Sequence, residues 1–161
     1  MKFTNSLIKG KLLKRYKRFF ADIKVNNKII TAHCPNTGSM QGLLDEGNEV
    51  LVTEHDDPKR KLKFTLEIIK AKKRYVGVNT HRANKIVNHG LENKLISEFK
   101  TIKNIKPEFK FSDDTRFDFL CDSNLIEVKN VTLFRENDIA EFPDAVTSRG
   151  TKHLNLSLIH I

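Results

Sequence analysis

The chain has 161 residues, 39% of them hydrophobic and 30% charged, with a formal net charge of +9. That length suits one ordinary domain or two small ones, and no apolar run approaches the ~18 residues that span a bilayer. The N-terminus, MKFTNSLIKGKLLKRYKR, has no signal-peptide apolar core. A cytoplasmic address is therefore expected. Cys34 and Cys121 stand far apart and outside any C-x-x-C pair, which argues for free thiols over a disulfide or a structural zinc site.

In chain order, the first 79 residues read as β-structure. The predicted strands are LIKGKLLKRY (7–16), KRFFADIKV (17–25), KIITAHC (28–34), EVLVTEH (49–55), KLKFTLEIIKA (61–71) and YVGVN (75–79). Between them lies turn chemistry: Asn26-Asn27, Pro35-Asn36-Thr37-Gly38, Asp45-Glu46-Gly47-Asn48 and Asp56-Asp57-Pro58. Short strands at this spacing predict a small closed barrel of the OB type over residues 1–79.

Residues 1–75 hold 17 Lys+Arg against 8 Asp+Glu, while residues 76–161 hold 12 of each, so the whole positive excess lies in the first half. Such a block attracts a polyanion, because each phosphate neutralised releases counterions; a merely solvated basic surface is the competing reading. An anionic membrane fits less well, since the bases form no amphipathic helix. Arg15, Lys17, Arg18, Arg60 and Lys61 are the candidate nucleic-acid contacts, with Tyr16 and Tyr75 as candidate stacking rings and the remaining aromatics as core.

At Asn79-Thr80 the pattern changes. HRANKIVNHGLENKLISEF sets Ala83, Ile86, Val87, Leu91, Leu95 and Ile96 on one helical face, with Thr80 as N-cap. Short strands follow, KTIKNIKPEFKF, RFDFLCD and LIEVKNVTLF, then a proline-containing loop and a helix start near Thr151. A helix, strands and a helix predict an α/β layer over residues 80–155, giving an α+β chain.

RFDFLCDSNLIEVKNVTL carries the chemistry. Side chains alternate along a strand, so Glu127 and Lys129 point one way and Ile126 and Val128 the other. The turn at Asp122-Ser123-Asn124 folds the Asp118 strand against them. Two close carboxylates call for a neutralising cation, and Mg²⁺, which favours carboxylate and water oxygens, suits Asp118 and Glu127. Lys129 beside it can orient a water and offset charge on a pentavalent phosphate. Solvated ion pairs, Glu127 with Lys129 and Asp118 with Arg116, are the competing reading. HCPNTGSMQG is either a phosphate-cradling nest or a plain turn closing the barrel.

RYKRFFADI, HCPNTGSMQG, VGVNTHRANKIV, RFDFLCD, IEVKNVTL and FPDAVTSRGTKHL together resemble the sugar fermentation stimulation protein family, often written SfsA. The resemblance implies sequence-nonspecific DNA binding and a regulatory role in sugar (maltose) metabolism. It also implies an OB-like N-terminal domain followed by a PD-(D/E)xK nuclease-like domain, with Asp118, Glu127 and Lys129 as the nuclease-like triad. Mg-dependent phosphodiester hydrolysis is then the alternative activity, and a fold that keeps DNA binding without the chemistry is a third. Arg149 and Lys152 in the last motif are further candidate phosphate contacts. Two departures stand out: His89 occupies the first helix where a glutamate is expected, and relatives continue well past KHL, so the second domain is expected to be incomplete. LSLIHI back-translates to a transposon-end adapter used in library preparation, so residues 156–161 are expected to be a non-native tail.

Overall fold

The computed structural model describes residues 2–134 and 139–141. Five strands form the first unit: β1 (Leu7–Tyr16), β2 (Phe20–Val25), β3 (Lys28–His33), β4 (Glu49–Glu54) and β5 (Phe64–Ala71). Their spatial order is β3-β2-β1-β4-β5, and parallel bridges from Ala32 to Phe64 and His33 to Thr65 close the ring. β6 (Arg74–Gly77) adds to β5. β1 serves two partners, β4 along residues 7–11 and β2 along residues 11–16, with a register shift between Leu12 and Lys14 where it turns from one to the other. The barrel is therefore OB-like and closed, as its turn spacing predicts.

Alternation puts Leu12, Ala21, Ile23, Ala32, Val50, Val52, Leu66 and Ile69 inside, each with no exposed surface. Gly10 is where β1 crosses β2 most tightly. A Cβ there would lie 2.5 Å from Ile23 Cγ2 and 3.0 Å from the Lys24 carbonyl oxygen. Gly10→Ala is accordingly expected to cost about 1–3 kcal/mol through overpacking, seen as a lower urea midpoint at constant m-value. An unchanged midpoint would mean that β1 can shift to make room.

The second unit begins with a 3-10 turn, Thr80–Arg82, whose N-cap is Asn79, its Oδ1 accepting from the His81 amide at 3.1 Å. The expected cap, Thr80, instead donates its hydroxyl to the Pro35 carbonyl at 2.5 Å. α1 (Ala83–Glu92) is shorter than its apolar pattern suggests. It ends in a Schellman arrangement: the Leu95 amide reaches the Gly90 carbonyl at 2.8 Å and the Lys94 amide the Leu91 carbonyl at 3.1 Å, with Lys94 at φ 56°. β7 (Ile105–Ser112), β8 (Thr115–Cys121) and β9 (Asn124–Ile126) then form an antiparallel meander. α1 closes it: Leu91, Phe119 and Cys121 are buried, with Val87, Ile96, Ile105, Ile126 and Val128 packed around them.

The expected single strand over 125–134 is broken. Residues 127–132 are irregular, and β10 (Leu133–Phe134) pairs instead with β11 (Ala140–Glu141). The irregular stretch docks on the barrel through Asn130 Nδ2 to the Gly77 carbonyl and Asn36 Nδ2 to Thr132 Oγ1, both at 3.3 Å. Cys34 and Cys121 are free and buried. Among the described residues no helix is long and apolar enough to cross a membrane. Arg149, Lys152, the helix expected near Thr151 and the 156–161 tail lie outside the described residues.

Candidate functional site

Asp118 stands on β8 between buried Phe117 and Phe119, and both of its carboxylate oxygens are held. Oδ1 accepts from Asn84 Nδ2 of α1 at 2.7 Å, and Oδ2 from the Val128 amide at 2.6 Å. The β8–β9 register pairs Phe119 with Ile126, so one more step would set Asp118 opposite Glu127. The ladder stops at that step because the carboxylate takes the amide proton. Glu127 and Lys129, on either side of that amide, meet as an ion pair with side-chain exposures of 20% and 38%. The Asp118 carboxylate thus contacts the backbone between Glu127 and Lys129.

Asp118 also opens onto a cavity of about 370 Å³ lined by Asn84, Asn88, His89, Glu92, Glu108 and Phe119 among others. Glu127 and Lys129 are not part of its lining. His89 faces this cavity half-buried, its Nδ1 3.1 Å from Asn93 Nδ2. The donor set suits a hard divalent cation, since each carboxylate oxygen has two lone pairs and hydrogen bonding leaves capacity for a metal. Among the described residues no group of three or more His, Cys, Asp or Glu forms a ready cage. Mg²⁺ is commonly held by one or two carboxylates, with water and substrate phosphate completing its shell. Asp118 and Glu127 would be that pair.

Two of the barrel's connections carry groups of cations. The β1–β2 turn, residues 17–19, carries Lys17 and Arg18, both exposed and both in the left-handed region at φ 47° and 62°. Such conformations cost about 1–2 kcal/mol each for a residue bearing a Cβ. The β4–β5 loop, residues 55–63, carries Lys59, Arg60, Lys61 and Lys63, with Arg60 anchored by Nη2 to Thr65 Oγ1 at 2.8 Å. His33 lies between the two, paired with Phe20 on one side and Thr65 on the other. Burial first, then the positive charges of Arg60 and His81, hold its imidazole below the ordinary value.

Arg15 has a different placement from the other bases. It is half-buried and donates to the carbonyls of Arg18, Asn36 and Ser39 at 3.0, 2.7 and 3.4 Å, so it fastens the β1–β2 turn to the HCPNTGSM loop. That loop acts as a connector: its Gly38 amide is taken by Asn36 Oδ1 at 2.8 Å rather than held open for an anion.

The sequence patterns give no sign of Glu67. On β5 it is 2% exposed, and its carboxylate accepts from Thr53 Oγ1 at 2.8 Å, Asn79 Nδ2 at 2.9 Å, and both Nε and Nη2 of Arg82. Burial pushes its carboxyl up, but the hydrogen bonds from Arg82, Asn79 and Thr53 outweigh it and leave the group below the usual glutamate value. This bidentate pair joins the barrel wall to the residue that precedes α1.

Two family models match the chain, SfsA N-terminal OB domain over residues 13–78 and Sugar fermentation stimulation protein RE domain over residues 81–160. The sugar fermentation stimulation protein homolog of Pelagibacter ubique is 66% identical over 158 residues, covering 96% of this chain and 68% of that protein. The homolog of Alteromonas mediterranea is 46% identical, covering 95% and 69%. Among solved structures, Pyrococcus furiosus SfsA in complex with Ca²⁺ matches with a TM-score of 0.80 at 23% identity, covering 96% of this chain and 67% of that one, which establishes the shared fold. On these matches the chain, which spans about two thirds of the length of these relatives, belongs to the sugar fermentation stimulation protein family.

Proposed function

We propose that this chain binds DNA without sequence preference and serves in the regulation of sugar metabolism, including that of maltose. The observation that carries the binding is the pair of cationic connections flanking His33, residues 17–19 and 55–63. These correspond to the two loops by which OB-type barrels hold oligonucleotides. Lysines and arginines on these loops can meet phosphates, which gives register but no base readout. Replacing Lys17, Arg18 and Lys61 by glutamate should weaken binding about a hundredfold at low salt. It should also flatten the slope of log K against log salt by ~0.7 (single strand) to ~0.9 (duplex) for each phosphate left without its cation. Fluorescence anisotropy over a salt series measures both; binding that ignores salt, or that survives the triple reversal unchanged, defeats the proposal.

A second reading, phosphodiester hydrolysis, is favoured by the doubly held Asp118 carboxylate beside the Glu127–Lys129 pair. The Pyrococcus furiosus relative described with Ca²⁺ adds support, since Ca²⁺ and Mg²⁺ share a taste for oxygen donors. A bound divalent ion would supply a Lewis acid at the phosphate and a more acidic water. This chain's own residues would do the rest. Asn84 and the Val128 amide fix the orientation of Asp118, Glu127 steadies Lys129, and the Lys129 ammonium offsets charge on the phosphate oxygens.

A further inference from the structure

We infer that the Phe19–His33 pair is a stacking platform for an unpaired base, so that the DNA held by this barrel is single-stranded. The inference rests on the DNA-binding reading above and adds the kind of strand. Phe19 is 44% exposed, and it lies stacked on His33 with centroids 6.4 Å apart and planes 26° from parallel. It follows Lys17 and Arg18 directly, and on the far side of His33 stands Arg60, anchored on Thr65. A ring between two cationic loops is what a single strand needs: the loops track phosphates while the ring takes a base face, and every base has one. A duplex offers no such face, because its bases are already stacked on one another.

The two tyrosines fit this role less well. Tyr16 packs on Phe20 at 5.5 Å, gives its hydroxyl to Asp22 and has the Lys14 ammonium 5.4 Å from its centroid. Tyr75 is exposed, yet the Lys70 ammonium sits 5.1 Å from its ring centroid and its hydroxyl is tied to Glu49. Phe19, by contrast, is presented by a turn that keeps two non-glycine residues left-handed. The turn is pinned by the Arg15 Nε bond to the Arg18 carbonyl and by the Cys34 amide to the Phe19 carbonyl at 2.8 Å.

The test titrates an oligothymidylate of about 12 nucleotides, within the span of one such barrel, against a duplex of equal length and against heparin. The single strand is expected to bind the unaltered protein more tightly than the duplex. Phe19→Leu should then lose roughly tenfold or more for oligothymidylate while its heparin and duplex affinities and its thermal midpoint stay put. The chain contains no tryptophan, so Phe19→Trp places a lone fluorophore at the site, and its emission should be quenched as the single strand binds. Equal affinity of Phe19→Leu for oligothymidylate, an unquenched Phe19→Trp, or a preference for duplex overturns the platform and leaves DNA binding standing. Absence of binding to any DNA overturns the functional reading itself, and the platform with it.

Discussion

Arg82→Ala is expected to destabilise the fold by about 3–5 kcal/mol, the scale on which breaking a buried ion pair is felt. Without the guanidinium, Glu67 keeps only Thr53 and Asn79 as donors in a position 2% exposed. An uncompensated charge at such a place must either bind a proton or open the structure to water. Glu67→Gln should cost less, because the Arg82 side chain keeps 21% of its surface in solvent and can hydrate there. Replacing both partners with leucine or methionine should recover most of the loss, since the pair's desolvation disappears along with its attraction. Urea midpoints of the four proteins measure this; an Arg82→Ala loss below about 1 kcal/mol would show that the pair anchors nothing.

The same pair sets an acid dependence. Burial raises the Glu67 carboxyl, and the hydrogen bonds from Arg82, Asn79 and Thr53 lower it further than burial raises it, so its folded value lies below that of the unfolded chain. Its contribution is therefore complete above the unfolded glutamate value of about 4.3 and drains away as pH falls through the folded one. The gap in melting temperature between wild type and Glu67→Gln should be constant near neutrality and should close in acid. Because Asn84 follows Arg82 by two residues and donates to Asp118, the pair also helps place α1 over the candidate site.

Most of the barrel was legible because its strands alternate and the β2–β3, β3–β4 and β4–β5 connections carry Asn, Gly, Pro or Asp. What escaped were places where tertiary contacts replace local signals. Residues 17–19 read as the start of a strand and form a turn, since Lys17 and Arg18 adopt left-handed backbone with no Gly or Asn to announce it. Lys94 ends α1 in a position glycine usually fills, so the apolar pattern ran on past the true end. Glu67 in LEIIK looks like the polar side of a strand, and its burial depends on an arginine 15 residues away. At the candidate site, the i, i+2 spacing pointed to the Glu127–Lys129 pair, which forms although the strand stops at Ile126. The contacts of Asp118 with Asn84 and Val128 are what break the 125–134 strand, and no pattern in that segment foretells them.

Asp118→Asn separates a catalytic carboxylate from a structural one. The amide has nearly the same shape: its oxygen can still accept the Val128 N–H, and Asn84 can turn its own amide to present an oxygen to the new NH₂. Folding should therefore change little, and metal-free DNA binding should hold or tighten slightly as a negative charge is removed. Nicking of plasmid DNA in Mg²⁺ should instead fall about a hundred- to a thousandfold, the scale of removing one interaction that stabilises the transition state. Calorimetric uptake of Mg²⁺ or Ca²⁺ should fall with it, because a neutral amide is a poor substitute for a carboxylate on a hard cation. Equal nicking by Asp118→Asn and wild type would remove this carboxylate from the chemistry. If the unaltered chain binds DNA firmly yet neither nicks it nor takes up the cation, the hydrolytic reading fails and the protein is a binder alone.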